Sequence, residues 1–434
     1  MDPDSYFGRR PALRALAFRD FRLFMSATTL QNLLMPLQFL TMIFWMQEEF
    51  PDRDVVYVSL LGACRGVALL SFGFIGGAIA DRAERRRTLI ICESIAATAT
   101  VLSGVMMLTM PLGGATIIPV LILSFAMAAN MAIDIPSRSA SSPAIVGMEN
   151  LTSAISLTNV AAQLTFPLTF LASGLLNDRF GPGKVFISSA MVYAAILPLL
   201  LSLRFRSFGA GDRARGVGGN IRDGLAYTRR DTTIFAVLLL LVMQGLGMPG
   251  VGTLGILWMT EVLHLSRTQY AFLGMIWGFG ALAASLFFAY NQGLARRGGV
   301  LCLNVAAFGI AAIVFGHSRF VPLTLVANFT LGFTMVGASI TASTMVQYLV
   351  SDEMRGRVMG LFPLAMGIAM VNTFPVGALA QSTSLELVMP LMGWLTLLVS
   401  MAIIVGQPGL RRARPAPNQP APVAIYPLPE SSAP

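Results

Sequence analysis

Seven residues of this chain occur twice in the same order. Gln31, Met35, Pro36, Trp45, Met46, Glu48 and Tyr57 return as Gln244, Met248, Pro249, Trp258, Met259, Glu261 and Tyr270, each 213 positions later. A second echo joins Phe166-Pro167 to Phe374-Pro375. Both halves consist almost entirely of apolar runs long enough to cross a bilayer. A chain that repeats itself inside such runs folds as two similar membrane units. Two units of that kind point to a moving cavity between them, and so to transport rather than a membrane-anchored enzyme.

The composition agrees. Charged residues make up 12% of the 434 positions and hydrophobic ones 55%, whereas a soluble domain carries about 25% charged residues. Runs of about 20 apolar residues match a hydrocarbon core about 30 Å thick. The net charge of +9 would suggest nucleic acid in a soluble chain. Here the arginines stand at the ends of apolar runs, so the charge is topological and no nucleic-acid partner is expected. Cys64, Cys92 and Cys302 lie inside apolar runs, no CxxC or Cys/His cluster exists, and His264 and His317 are the two histidines. Neither a disulfide framework nor a metal site is expected. The first run is too long for a cleaved signal peptide and has no small-residue cleavage site before Glu48. Gly245-Leu246-Gly247-Met248-Pro249-Gly250 spells a dinucleotide fingerprint but sits in an apolar run without a preceding strand. Gly183-Lys184 lacks the rest of a phosphate loop. No cofactor, ATP site or enzyme activity is expected.

The runs predict twelve helical spans, over about 21–47, 55–80, 88–110, 115–135, 153–177, 184–204, 232–260, 269–293, 298–317, 320–347, 356–381 and 385–407. Helix is the expected form because backbone groups in lipid must pair within their own segment, and the runs lack the alternation of a barrel strand. With the N-terminus inside, 24 of the 30 basic residues fall in inner segments, five in outer ones, and Arg65 inside a span. Both termini are therefore expected in the cytoplasm. The reading is an all-α membrane protein of two pseudo-symmetric six-helix bundles. Its parts are an N-terminal segment (1–20), one bundle (21–204), a linker (205–231), the second bundle (232–407) and a tail (408–434). Within the linker, Asn220–Arg230 can form an amphipathic surface helix. The tail, rich in Pro and Ala, is expected to be disordered.

Between the second and third runs stands Gly77-Ala78-Ile79-Ala80-Asp81-Arg82-Ala83-Glu84-Arg85-Arg86-Arg87. Gly77 permits close helix approach, Asp81 can accept from a neighbouring helix N-terminus, and the arginines face anionic lipid heads. This loop resembles the signature of the major facilitator superfamily, Gly-x-Leu-Ala-Asp-Arg-x-Gly-Arg-Arg, at Gly77, Ala80, Asp81, Arg82, Arg85 and Arg86. Ile79 and Glu84 depart from it. Three further segments resemble the enterobactin-exporter-like and macrolide-efflux-like branch. They are Arg19-Asp20-Phe21-Arg22-Leu23-Phe24, Asp134-Ile135-Pro136-Ser137-Arg138 with Ser153-Ala154-Ile155-Ser156-Leu157, and Arg355-Gly356-Arg357-Val358-Met359-Gly360. The resemblance implies alternating access and proton-driven export of siderophores or amphipathic drugs from the bacterial inner membrane by a monomer. It also implies a gate loop at the cytoplasmic side from Gly77, Asp81, Arg82, Arg85, Arg86, Arg138, Arg355 and Arg357. The chain departs from superfamily exporters in having Phe166-Pro167 with few nearby glycines, no arginine within about 115–135, and no Asp in the second copy of the loop near Asn291–Gly299.

Arg65 lies roughly 15 Å into the second span. An arginine at helix centre costs about 2.5–3.5 kcal/mol on insertion scales, so a water-filled cavity, an acidic partner or an anionic substrate should offset it. The alternatives are a structural pair or snorkelling. Gln31 and Gln244 are the leading cavity candidates, because first and seventh spans line the cavity in the superfamily. Gln38, Asn159, Gln163, Asn328 and Asn372 stand beside them, with interhelical hydrogen bonding as the alternative. Glu93 and Asp134 can carry protons for coupling, or can form a structural pair with Arg138 or the Asp81 loop. Glu48 and Glu261 read as solvated helix caps, and the Met-Pro pairs as kinks. Two other functions stay open: import of a small metabolite or anion with Arg65 as counter-charge, and a non-transporting sensor or scaffold whose tail binds a partner.

Overall fold

Among the described residues of the computed structural model, 11–50, 54–109, 117–205, 217–251 and 253–413, each expected apolar run is mainly helical. The first half contains α1 (Arg19–Glu49), α2 (Asp54–Arg82), α3 (Arg85–Thr109), α4 (Ile117–Val146), α5 (Leu151–Phe180) and α6 (Pro182–Leu201). The linker helix α7 (Val217–Arg230) precedes α8 (Thr232–Val251), α9 (Thr253–Leu257) and a π-turn at Trp258–Val262. Then come α10 (Arg267–Tyr290), α11 (Gln292–Ala295), α12 (Gly298–His317), α13 (Val321–Leu349), α14 (Asp352–Met359), α15 (Phe362–Val371), α16 (Thr373–Ser382), α17 (Leu385–Gly406) and α18 (Pro408–Arg412). No β-strand occurs among the described residues.

Ten helices among the described residues are long and apolar enough to cross a membrane, or eleven if α7 and α8, bent by 112°, count as one span. The expected twelve is not reached on that measure. The 31-residue α1 is not among the ten; Gln31, Asn32 and Gln38 dilute its middle. The run at 232–260 ends in the π-turn, and the run at 356–381 is α14, α15 and α16 in series, which together count as one of the ten spans. The tail departs from expectation at its start. Pro408 opens α18, Leu410 is fully buried, and the Ala413 carbonyl accepts from Gly298 N at 3.2 Å. Residues 414–434 lie outside the described residues.

Local signals set the turns. Ser266 and Gln269 form a reciprocal capping box at the start of α10, satisfying two orphan donors. Gly181, with φ of 78°, turns the chain from α5 into α6; a side chain there would be strained.

Within the first half α2 packs on α4, α3 on α4 and α6, and α1 on α5 and α6. Within the second, α13 packs on α10 and α12, and α17 on α12 and α8. The halves join through two seams, α5 against α10 and α2 against α15–α16. The repeat exchanges these seams: Tyr57 on α2 corresponds to Tyr270 on α10, and the Phe-Pro echo lies on α5 and α16. Such reciprocity belongs to a two-fold axis. Gln47 Nε2 donates to Thr260 Oγ1 at 2.8 Å. Those two residues are themselves 213 apart, so the axis passes between them.

One face of the molecule carries α1's start, α6's end and the linker; it is called the terminal face. There Asp20 accepts from the backbone N of Arg204 and Phe205, both at 2.9 Å. The opposite, far face carries the turns after α1, α5, the π-turn, α12 and α16.

Candidate functional site

Two turns in from the terminal face, α1, α3 and α4 converge on a buried ionic cluster. Asp134 and Arg138 stand four apart on α4, which puts both on one helix face. Arg138 Nε donates to Asp134 Oδ2 at 2.6 Å, and its Nη1 to Thr28 Oγ1 on α1 at 3.0 Å. Its Nη2 donates to Glu93 Oε1 on α3. Glu93 is 1% exposed, Asp134 4% and Arg138 8%. Two carboxylates share one guanidinium, so with both ionised the cluster carries one net negative charge. Glu93 Oε2 and Asp134 Oδ1 are buried without hydrogen-bond partners. One proton would neutralise the set and turn an orphaned acceptor into a donor. Arg138, grouped in sequence with the gate loop, sits inside the half together with both candidate coupling residues.

Arg65 on α2 is not part of that cluster. Its guanidinium lies over the Phe39 ring of α1 at 5.1 Å, and its Nε is buried with no hydrogen-bond partner. Gln31 Oε1, also on α1, is buried and unpartnered. These two are the unsatisfied members of the expected cavity set. Gln38 instead donates to Thr100 and Ser189 within its own half at 3.0 and 3.1 Å. Gln244 donates to the Thr334 carbonyl at 3.4 Å, Asn328 to Leu273 at 2.6 Å and Asn372 to Leu246 at 3.1 Å, all within the second half. Gln163 crosses between halves to Ser285 Oγ at 2.9 Å. Asn159 is exposed on α5.

The hydrogen bonds and ion pairs that described residues make across the halves cluster toward the far face. Arg267 on α10 pairs with Glu48 at the end of α1 and donates to the Asn177 carbonyl at 3.4 Å. Thr268 N donates to Asp178 Oδ2 at 2.9 Å. The expectation of a solvated cap is corrected at Glu48, which is exposed at the rim yet paired with Arg267 of the opposite half; Glu261 is exposed on the π-turn. Close approach underlies these seams. A Cβ on Gly66 would meet Val371 N at 2.6 Å, and one on Gly274 would meet the Phe170 ring at 2.1 Å. The small residues that sequence reading missed around Phe166-Pro167 are supplied by the partner helix, at Gly274 and Gly278.

At the terminal face Arg86 donates to the carbonyls of Leu200 at 3.4 Å and Leu201 at 2.6 Å, tying α3 to the end of α6. Arg357 on α14 pairs with Asp223 on the linker helix at 3.2 Å, where a Cβ on Gly224 would meet the Arg357 carbonyl at 2.8 Å. Arg85 is half-buried and bonded. The surroundings of Gly77 and the side chains of Asp81, Arg82 and Arg355 lie outside what the structure describes.

Two crossed seams and a pseudo-two-fold axis between Gln47 and Thr260 relate the two halves. The profile of the Major Facilitator Superfamily matches residues 23–372. The chain belongs to that superfamily. No curated protein sequence matches it. Among solved structures it is similar to the nucleoside transporter NupG at 13% identity, covering 89% of this chain and 99% of that one with a TM-score of 0.74. A peptide transporter of the POT type bound to alafosfalin is 12% identical, with 95% and 97% covered and a TM-score of 0.72. A bacterial homologue of the human lysosomal transporter Spinster, inward-facing and unoccupied, is 14% identical, with 92% and 99% covered and a TM-score of 0.67. At such identities the likeness shows the major facilitator fold; membership of the superfamily makes the chain a multi-pass membrane transporter.

Proposed function

We propose that this major facilitator protein is a monomeric, proton-driven exporter of a siderophore or amphipathic drug, with both termini cytoplasmic in a bacterial inner membrane. The observation that carries the reading is the buried cluster of Glu93, Asp134 and Arg138. Two carboxylates around one guanidinium form a site whose charge returns to zero on taking one proton. The cluster touches α1 through Thr28, so its protonation state acts on a helix that also bears Gln31 and Phe39. Motion of one half against the other would then be coupled to loading and unloading of that proton. The export direction rests on the resemblance of Arg19–Phe24, Asp134–Arg138 and Arg355–Gly360 to the exporter branch.

The test is flux in liposomes of purified protein under an imposed pH gradient, with a catecholate siderophore and a macrolide as probes. Gradient-dependent flux of either is expected, and Glu93→Gln should reduce it at least about tenfold, in line with loss of a proton-carrying group. Absence of gradient-dependent flux of both probes would end the reading.

Arg65 favours a second reading, transport of a small anion in either direction. Its unpartnered Nε and its place over Phe39 suit a planar anionic group, which a guanidinium binds bidentately. Arg65→Gln should then abolish transport of anions and spare neutral compounds; equal loss of both would discard this reading.

A further inference from the structure

The arginines of the terminal face are engaged differently in the two halves. In the first half Arg22 donates to the Leu16 carbonyl at 2.8 Å, Arg86 ties α3 to α6, and Arg87 pairs with Glu84 at 2.7 Å. In the second half Arg357 is paired with Asp223. Five others are exposed: Arg229 and Arg230 at the end of α7, Arg297 before α12, and Arg411 and Arg412 on α18. Their guanidinium groups make no hydrogen bond or ion pair with any described residue.

Backbone packing gathers these five into one crescent. Gly298 N, next to Arg297, donates to the Ala413 carbonyl, next to Arg412, at 3.2 Å. A Cβ on Gly298 would strike the Leu410 carbonyl, and one on Gly299 would meet the Arg411 carbonyl at 3.5 Å. So α18 lies directly on the start of α12. On its other side a Cβ on Gly409 would meet Thr233 Oγ1 at 3.9 Å, three residues past Arg230. Arg296 adds a sixth positive charge, its guanidinium over the Tyr348 ring of α13 at 4.6 Å. The carboxylate of Asp231 stands among them, but it caps α8, accepting from Thr233 N at 2.9 Å and Ile234 N at 3.1 Å. Like charges gathered in this way repel one another, and a bound anion relieves the repulsion.

We propose that this crescent binds the phosphate headgroup of an anionic phospholipid, which clamps the ends of α7, α11 and α18 together at the terminal face. The level of the crescent favours a lipid over a soluble acidic partner. It stands where α8 and α12 begin and α17 ends. The linker helix α7 is bent by 112° from α8, so it runs across the end of the span and not away from it. Deeper along α12 and α17, Leu303 is 68% exposed and Val405 63%, an apolar surface suited to acyl chains. Charge above and apolar side chains below match the two parts of a phospholipid. Guanidinium forks suit phosphate oxygens, which they bind bidentately. The inference rests on the membrane placement of the chain, and on neither the substrate nor the direction of transport.

Native mass spectrometry of the full chain in neutral detergent tests it, with phosphatidylglycerol and phosphatidylcholine offered in equal amounts. The anionic lipid should be retained with at least about tenfold preference. The triple variant Arg297→Gln, Arg411→Gln, Arg412→Gln should lose about tenfold of that preference, and the double variant Arg229→Gln, Arg230→Gln should lose part of it. Arg14→Gln, Arg87→Gln and Arg204→Gln together remove the same charge from exposed positions of the first half, and should leave the preference unchanged. A melting temperature equal to the parent's shows that a variant is folded. Glycerol 1-phosphate, a headgroup without chains, should displace no lipid at equal concentration. The proposal is overturned by any of three results: no preference in the parent, equal losses from the crescent and first-half variants, or displacement by glycerol 1-phosphate. The readout is bound lipid, so an absence of flux with any chosen substrate bears on the exporter reading alone.

Discussion

Arg138 and Arg65 are both arginines in the membrane interior of the first half, and they should behave in opposite ways when removed. Arg138 holds two carboxylates and Thr28, so Arg138→Met strands two buried acids. Breaking a buried ionic group by removing one partner costs about 3–5 kcal/mol. The variant should unfold at markedly lower temperature in detergent, followed by tryptophan fluorescence. Arg65 has an unpartnered Nε, and Arg65→Met should leave the melting temperature unchanged or raise it. Equal losses from both would show that Arg65 is as much a structural tie as Arg138. Half of this contrast was legible in the chain. The spacing of four between Asp134 and Arg138 puts them on one helix face, and Arg65 is conspicuous in the middle of an apolar run. Glu93 was legible as a partner of either Arg138 or the Asp81 loop, and the choice between them depends on how α3 packs on α4.

At the scale of the helix, the two seams depend on small residues set opposite backbone. Gly66 on α2 has no room for a side chain against Val371 N. Gly66→Val should therefore cost about 1–3 kcal/mol, as overpacking does, and should force α2 away from α15. Spin labels at Lys184→Cys and Thr383→Cys, exposed far-face positions in opposite halves, should then report a larger separation than in the parent. If Gly66→Val left the distance unchanged, the α2–α15 seam would not control the far opening. The same scale shows where the two copies differ. The first copy of the repeat stays α-helical to Glu49, whereas the second passes into a π-turn at Trp258–Val262. An apolarity profile sees only that both copies are apolar, so it draws one span in each case.

For the whole molecule, the duplication carried most of the architecture. It predicted two similar bundles, and the structure returns the offset as a physical contact at Gln47 and Thr260. The state of the molecule was not legible, since a repeat says that two halves exist but not at which face they meet. Here the cross-half bonds gather toward the far face, which makes the axis contact a place to test the transport cycle. If the halves rock about a central site, Gln47 and Thr260 must part once per turnover. A short bifunctional thiol reagent joining Gln47→Cys to Thr260→Cys, in a chain with its native cysteines replaced, should hold the far face closed. Flux should then fall to background and return when a cleavable reagent is reduced. A sensor or scaffold without a cycle would keep its function under the same cross-link. Residual flux equal to that of the uncross-linked protein would mean that the halves need not separate at the axis, and rocking about it would have to be given up.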